Sequence, residues 1–505
     1  MKKKISKKIA IPVLLGIIAI GLFVTWRNGY LDLHTPNAYE FGEEGSCLFD
    51  GDNLYYAVSE DGEVCIEGIR RVTDTIEIPE TIDGKPVVEL GYDMINESQV
   101  KRVENIIVPD TVKIINNGVL LDSKWYNNHP EGVAYIGKIA YKYKGKVPEN
   151  GVVEIKEGTK YIRETAFGYD PLYSDDIKQV ILPEGLVEIG YMAFYGCENL
   201  ESITLPESLE VLCGEVFLGC KNLKEINFPD KYINLSIEDF EDTAWLKNQP
   251  EGLIYAGKSM IGYSGKTTEK IELDVKEGTV EISAFDFVEF DVLGYINVPA
   301  SCKYIDVPNA VFDGFRVHAD NKYFSTDEMG NLYNKDKTTL IRYAPSNKNP
   351  EFTIPKTVTE IESYAFLLSN NLEKITINRN LAVIGYESFQ TGGSIREFVV
   401  EDGNSAFCAI DGNLYSKDKK QFICYASGKT DKSITVPDGV VTINDYGYAF
   451  SDCLYLEEII LPDSVEQFGW VYNCPKLDYS GIKTDNKELW ENIEIHQLDG
   501  LLPRD

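Results

Sequence analysis

A period of 23 residues runs through this chain and restricts its fold more than any other feature. The segment LPEGLVEIGYMAFYGCENLESIT, starting at Leu182, lies directly above LPESLEVLCGEVFLGCKNLKEIN, starting at Leu205. The shift carries Pro183 onto Pro206 and Pro229, Leu186 onto Leu209, Ile189 onto Leu212 and Phe194 onto Phe217. It also carries Gly196, Cys197, Asn199, Leu200 and Ile203 onto Gly219, Cys220, Asn222, Leu223 and Ile226. The same slots refill after Pro355, with Val358, Ile361, Ala365, Phe366, Leu372, Ile375 and Ile377. They refill again from Asn378, with Leu381, Ile384, Phe389, Ile395, Phe398 and Val400. From Pro437 the frame stretches by two residues, through Val440, Ile443, Phe450, Cys453 and Leu456 to Pro462. Weaker copies open near Pro79, Pro109, Glu157, Glu277 and Pro299.

Within one copy Ile203 and Leu205 alternate with polar residues, the period of a strand. Pro206 ends that strand, because it has no N–H for a ladder. Leu209 and Leu212 form a second short inward edge, and Ala-Phe followed by Gly-Cys-x-Asn-Leu predicts a tight corner, 3₁₀ in character. No single copy can bury these groups alone. Stacked at about 4.8 Å, the copies would share parallel ladders and one continuous core.

Two longer modules overlie this frame. WYNNHPEGVAYIGKIAYKYKGK from Trp125 matches WLKNQPEGLIYAGKSMIGYSGK from Trp245, and GNLYNKDKTTLIRYA from Gly330 matches GNLYSKDKKQFICYA from Gly412. Both types read as β-hairpins inserted between coils and packed on the stack. After Leu477, Asp485-Asn486 before KELWENIEI predicts a short closing helix with Leu489 and Ile493 on one side.

At the N-terminus, Lys2, Lys3, Lys4, Lys7 and Lys8 precede an uncharged apolar run over 9–26, IAIPVLLGIIAIGLFVTW. Eighteen residues at about 1.5 Å each come close to the thickness of a bilayer core. The basic flank predicts a single-pass anchor with its N-terminus inside and the rest of the chain outside. A cleaved signal peptide is the rival reading, giving a secreted chain. The run ends Val24-Thr25-Trp26-Arg27 without an A-x-A-like site, and the first cysteine, Cys47, lies far beyond it.

These residues are similar to the BspA-like leucine-rich-repeat family of bacterial surface proteins. The carriers are the LP…I…AF…C…L…I frame and the Trp…Pro-Glu-Gly…Gly-Lys module. YYAVSEDGEVCIEGIRRVTDTIEIPETIDGKPVVELG, from Tyr55, also resembles that family's N-terminal cap. The resemblance implies a mostly β, right-handed solenoid, secretion, and adhesion or host-protein binding; it carries over no catalytic residue. The expected organisation is a tail and signal anchor at 1–27, a linker at 28–48, a hairpin cap at 49–78, a solenoid at 79–477 and a closing cap at 478–505. Hairpin insertions fall near 125–150, 245–270, 320–345 and 403–430.

Little in the composition suggests chemistry. The four histidines, His34, His129, His318 and His496, are scattered, and the ten cysteines include no C-x-x-C pair. Cys197, Cys220 and Cys453 share one repeat slot, where a small buried hydrophobe explains them better than a redox or metal ladder. Cys47 with Cys65, and Cys408 with Cys424, each lie near a predicted hairpin and could pair as disulfides outside the cell, but neither pair falls clearly opposite across its turn. Asp50-Gly51-Asp52-Asn53 and Glu401-Asp402-Gly403-Asn404 resemble fragments of calcium loops but lack the full spacing, and turn chemistry accounts for them. No catalytic, cofactor or metal residue is assigned.

Six of the 49 basic residues lie in the first 27, which leaves 43 against 81 acids. Such a surface repels nucleic acid. The 31 tyrosines would serve a protein or glycan surface if exposed, although Tyr135, Tyr141, Tyr143, Tyr255 and Tyr263 occupy repeated hairpin slots where packing suffices. The reading is a non-enzymatic, adhesin-like surface binder of an extracellular protein, host or bacterial. The alternative is a structural envelope component associated with cell-wall polysaccharide. Ligand, binding face and oligomeric state are left open.

Overall fold

The computed structural model describes residues 48–92, 94–116, 118, 120–168, 176–265, 269–283, 293–306, 310–443, 449–486, 489 and 494–496. The apolar run at 9–26 lies outside them; among the described residues no helix is long and apolar enough to cross a membrane. Two compact units emerge: one runs to Pro250 and takes in Tyr255–Ile261, the other holds Glu251–Ile254 and the chain from Gly262.

The first unit is a stack of short parallel strands. One ladder joins Val152–Glu154, Gln179–Ile181, Ser202–Thr204 and Glu225–Asn227, with Val153, Val180, Ile203 and Ile226 in register and buried. A second joins Tyr161–Ile162, Glu188–Ile189 and Val211–Leu212, with Ile162, Ile189 and Leu212 facing the core. The repeated 23-residue spacing thus becomes one rung per coil, because identical slots must sit above one another for every ladder bond to close. Across the core, Phe167, Phe194, Phe217 and Phe240 stack ring on ring at centroid distances of 5.1, 5.7 and 6.2 Å. Burying each ring contributes about 2–3 kcal/mol. At the near end, Leu48–Phe49, Leu54–Val58 and Val64–Ile69 form an antiparallel cap whose last strand joins Lys85–Leu90 in parallel.

The corner is tight, as expected, and it holds a further set of bonds. Residues 191–196 form hydrogen-bonded turns, and 3₁₀ winding occurs at Ile237–Phe240. Thr165, Met192 and Glu215 take left-handed φ of 51–59°, one per coil. That conformation aims alternate N–H groups at the following coil: Thr165 at the Tyr191 carbonyl, Phe167 at Ala193, Phe194 at Val216. A third ladder results, and its bonds offset the roughly 1–3 kcal/mol that each left-handed non-glycine residue costs.

The second unit repeats the plan. Glu351–Thr353, Lys374–Ile377 and Glu397–Val400 form one ladder; Thr339–Arg342, Glu360–Ile361 and Val383–Ile384 form another. Tyr364 and Glu387 occupy the left-handed slot. A series of buried asparagines closes the coil edges. Asn378 donates from Nδ2 to the carbonyls of Pro355 and Val358 at 2.7 and 2.9 Å, and its Oδ1 accepts from the N–H of Asn380 and Leu381. Asn321 and Asn404 each make the equivalent four bonds.

The hairpins are present, but they are not additions to the stack. Gly132–Ile136 pairs antiparallel with Ile139–Lys144, and this return strand then pairs in parallel with Tyr161–Ile162. Thr339–Arg342 and Gln421–Cys424 do the same with Glu360–Ile361 and Thr442–Ile443. Each return strand is itself a rung, since a hairpin laid outside the stack would leave a ladder edge unpaired. Trp125 and Trp245 belong to one-turn helices, Lys124–Asn127 and Ala244–Lys247, capped by the Ser123 and Thr243 hydroxyls.

The start of the closing helix agrees with the expectation where the structure describes it, since Leu489 is buried in a 3₁₀ turn and donates its N–H to Asn486 Oδ1 at 3.4 Å, but the far end of the segment differs. Glu494–His496 is a strand, paired in parallel with Trp470–Tyr472. The copy after Pro462, which lacks Ala-Phe, offers that open edge, and the gain in backbone bonds overrides local helix preference. Residues 487, 488 and 490–493, which include Ile493, lie outside the described residues.

Candidate recognition surface

The outward side chains of the first ladder make a regular surface. In the first unit Glu154, Ile181, Thr204 and Asn227 stand exposed, one per rung. Neighbouring rungs are tied by Asn227 Nδ2 to Thr204 Oγ1 at 3.1 Å, Lys224 to Glu201 at 3.0 Å and Lys221 to Glu198 at 2.5 Å. In the second unit Lys374 pairs with Glu397 at 3.1 Å, and Arg396 with Glu373 at 3.7 Å. Exposed pairs like these contribute at most about 1 kcal/mol each, so they order the surface more than they stabilise it.

The outward residues of the second ladder are more enclosed: Tyr161, Glu188 and Val211 are all half-buried. Desolvation pushes the Glu188 carboxyl up to about 7, against the Cys213 thiol, which donates to its Oε1 at 3.8 Å, and the nearby Lys113 ammonium. Glu89, outward by alternation from the buried Leu90, is likewise pushed up to about 7 by burial, with Asn116 donating to its Oε1. Sequence periodicity marks both positions as outward; it carries no sign of how much backbone surrounds them.

The cysteines that share a slot face the core. The Cys197 thiol donates to the Phe167 carbonyl at 3.7 Å and that of Cys220 to Phe194 at 3.1 Å, each reaching the preceding coil. Cys453 is buried, and Cys474, absent from the sequence reading, continues its column with a bond to the Phe450 carbonyl at 3.6 Å. Burial pushes the Cys220 thiol up to about 12, which leaves it protonated and a poor nucleophile or metal ligand. Among the described residues no group of three or more His, Cys, Asp or Glu could hold a metal ion.

Cys408 pairs across from Tyr415, and Cys424 pairs across from Leu414 on the other side of that strand. Two rungs separate them, roughly 9–10 Å, which a disulfide cannot span. Cys65 is buried opposite Ala57, while Cys47 lies outside the described residues. Asp50 closes its own turn: Oδ1 accepts from the N–H of Asp52, Asn53 and Leu54 at 2.8–3.0 Å. Asn404 serves the asparagine series, so both calcium-loop fragments have structural occupations.

Most hairpin tyrosines pack. Tyr141 and Tyr143 are buried, with the Tyr141 hydroxyl accepting from Leu120 N–H at 3.1 Å and that of Tyr143 donating to the Lys146 carbonyl at 3.0 Å. Tyr135, Tyr255 and Tyr263 are half-buried. The exposed tyrosines are others: Tyr55, Tyr92 and Tyr191 in the first unit, and Tyr323, Tyr455 and Tyr479 in the second.

Comparison with solved structures finds a leucine rich cell surface protein from Faecalibacterium prausnitzii, 20% identical, covering 91% of this chain and 100% of that one, with a TM-score of 0.28. A leucine-rich repeat protein from Eubacterium ventriosum is 18% identical over 71% of this chain and 93% of that one, TM-score 0.34. The pneumococcal vaccine antigen PcpA is 16% identical over 89% and 98%, TM-score 0.27. No curated protein sequence matches the chain. The family model of the BspA type leucine rich repeat region matches residues 134–250, 342–417 and 421–493 in six copies. By its repeat, its register and that match, the chain belongs to the BspA-type leucine-rich-repeat family.

Proposed function

We propose that this chain is a non-enzymatic recognition protein displayed outside a bacterial cell, where it binds proteins through the outward face of its first ladders. The observation that carries the reading is the column Glu154, Ile181, Thr204 and Asn227, exposed and in register at one side chain per rung. Such a surface is preformed, so a partner laid along it meets many modest contacts without an ordering cost on this side. The excess of acids, 81 against 49 basic residues, favours partners with basic patches. The lysine-rich start and the apolar run at 9–26 support display outside the membrane, tethered or released.

The test is to immobilise residues 28–505 and titrate host matrix proteins and, separately, purified cell-wall polysaccharide. Saturable protein binding, weakened by Ile181→Asp with Thr204→Arg, is the expected result. Saturable binding to the polysaccharide alone would overturn the reading in favour of an envelope component.

A further inference from the structure

Two neighbouring coils of the second unit carry the same run of backbone into the same residue type. Phe450–Ser451 pairs in parallel with Trp470–Tyr472, setting Phe450 beside Val471 and Ser451 beside Tyr472. The next residues, Asp452 and Asn473, take left-handed φ of 56° and 49°. Asn473 Nδ2 donates to Asp452 Oδ1 at 2.5 Å, and the Asp452 N–H donates to the Tyr472 carbonyl at 3.0 Å. Cys453 and Cys474 follow, each bonded two residues back in its own coil. The Cys453 thiol donates to the Ser451 carbonyl at 3.5 Å, and the Cys474 thiol to the Tyr472 carbonyl at 3.4 Å. Register, backbone and side-chain direction therefore match, and the two sulfurs stand one above the other in the core.

Stacking alone does not single them out, since Cys197 and Cys220 also lie one coil apart. There each thiol reaches the preceding coil, to the Phe167 carbonyl at 3.7 Å and the Phe194 carbonyl at 3.1 Å. The coil of Cys453 follows a hairpin module, through the pairing of Gln421–Cys424 with Thr442–Ile443, and its thiol turns to its own coil instead. The Cys474 thiol does reach back, to the Phe450 carbonyl at 3.6 Å, and it shares a hydrogen bond with the Cys453 thiol. Both residues are buried, at 1% and 0% exposure. Rungs about 4.8 Å apart fall inside the range of roughly 4.4–6.8 Å between Cα atoms that a disulfide spans.

We propose that Cys453 and Cys474 form an oxidative modification site, joined as a disulfide by exchange with a small disulfide, RSSR. One thiolate attacks a sulfur of RSSR, forming a mixed disulfide and expelling RS⁻. The other thiolate attacks the protein sulfur of that mixed disulfide and expels the second RS⁻. The two cysteines lose two protons and two electrons, and RSSR leaves as two RSH. Burial, together with the facing Cys474 sulfur, pushes the Cys453 thiol up, so exchange is slow in the closed array. The bond forms while these coils are still open and is then sealed from reductant. It ties Phe450–Ser451 to Trp470–Tyr472, on which Glu494–His496 pairs in turn. Coils of a solenoid open one against the next, and this link bars opening between these two.

The test refolds the full chain from urea in a mixture of reduced and oxidised glutathione. The glutathione is then removed, remaining thiols are alkylated with iodoacetamide in urea, and peptides are mapped without reduction. The expected result is a peptide pair joined through Cys453 and Cys474 and separated by dithiothreitol, with Cys197, Cys220 and Cys424 alkylated. The linked chain should melt about 5 °C or more above the reduced one. In Cys474→Ser, which keeps a donor for the Phe450 carbonyl, the two preparations should melt together. Alkylation of both Cys453 and Cys474 after oxidative refolding, linkage of either to another cysteine, or a rise undiminished in Cys474→Ser would overturn the proposal.

Discussion

Asn404 reaches back one coil and donates from Nδ2 to the carbonyl of Asn378 at 2.9 Å, while Asn378 makes the matching bond to Pro355 at 2.7 Å. The side chain of one rung thus satisfies the backbone of the rung before it. Asn378→Leu would strip partners from four backbone groups at a position with 0% exposure. A loss of about 3 kcal/mol or more is expected in urea unfolding, beyond what the added apolar surface returns. A cost below about 1 kcal/mol would mean that water replaces the amide.

The phenylalanine stack makes a second, local prediction. Phe217 has neighbours at 5.7 and 6.2 Å above and below. Phe217→Ala should cost about 3–5 kcal/mol. Because coils contact mainly their neighbours, amide exchange should quicken first at the corner bonds of Phe194 to Val216 and Phe217 to Asp239. Uniform acceleration throughout the first unit would show that its coils melt together.

Glu188 predicts a pH dependence. Its carboxyl titrates near 7 when folded and near 4.5 when unfolded, so between those values the native chain holds the extra proton. The associated stability is fully present below about pH 4.5 and is lost as pH rises through 7, amounting to about 3 kcal/mol. Glu188→Gln should flatten that slope and leave the variant more stable than the parent at pH 8. Parallel stability curves for the two proteins from pH 5 to 8 would place the carboxylate in better contact with water than its surroundings indicate.

Thiol chemistry offers a fourth check. Burial pushes Cys220, Cys302 and Cys424 each up to about 12. In the native chain at pH 8, iodoacetamide should leave these three unmodified, and unfolding in urea should expose all of them. Peptide mapping under oxidising conditions should recover no Cys408–Cys424 link. A linked peptide would require the strand Asn413–Ser416 to leave its place between them.

The repeat was legible because the same physical demand recurs in every coil: Ile203 and Leu209 must face inward, and so must Ile226 and Ile375. Slots occupied by small or apolar residues therefore announce themselves. What could not be read were places where backbone conformation does the work. Thr165, Met192 and Glu215 share a left-handed φ yet share no chemistry, so no side-chain pattern marks the third ladder. Asn378 looked like an ordinary replacement for Pro355, and the amide's four bonds only become visible once the neighbouring coil is in place. The strand at Glu494–His496 is missed for a related reason: the end of KELWENIEI suits a helix by itself, and the open edge at Trp470–Tyr472 turns these three residues into a rung. Alternation alone marks which side chains of the ladders stand outward, whereas the burial of Glu89 and Glu188 depends on neighbours a linear pattern does not contain.

The hairpin modules carry one more implication, for how such chains change length. Since a return strand such as Thr339–Arg342 enters the ladder in register with the coil that follows it, while its other edge pairs with its own hairpin strand Leu332–Asn334, a module opens a fresh ladder for the coils after it. A module is then a cassette, and duplicating or deleting one alters the reach of the array without retooling its joints. Growth by whole cassettes would let reach vary between relatives while the joint, where Tyr143, Tyr343 and Tyr425 each donate an N–H to the corner alanine of the next coil, stays the same.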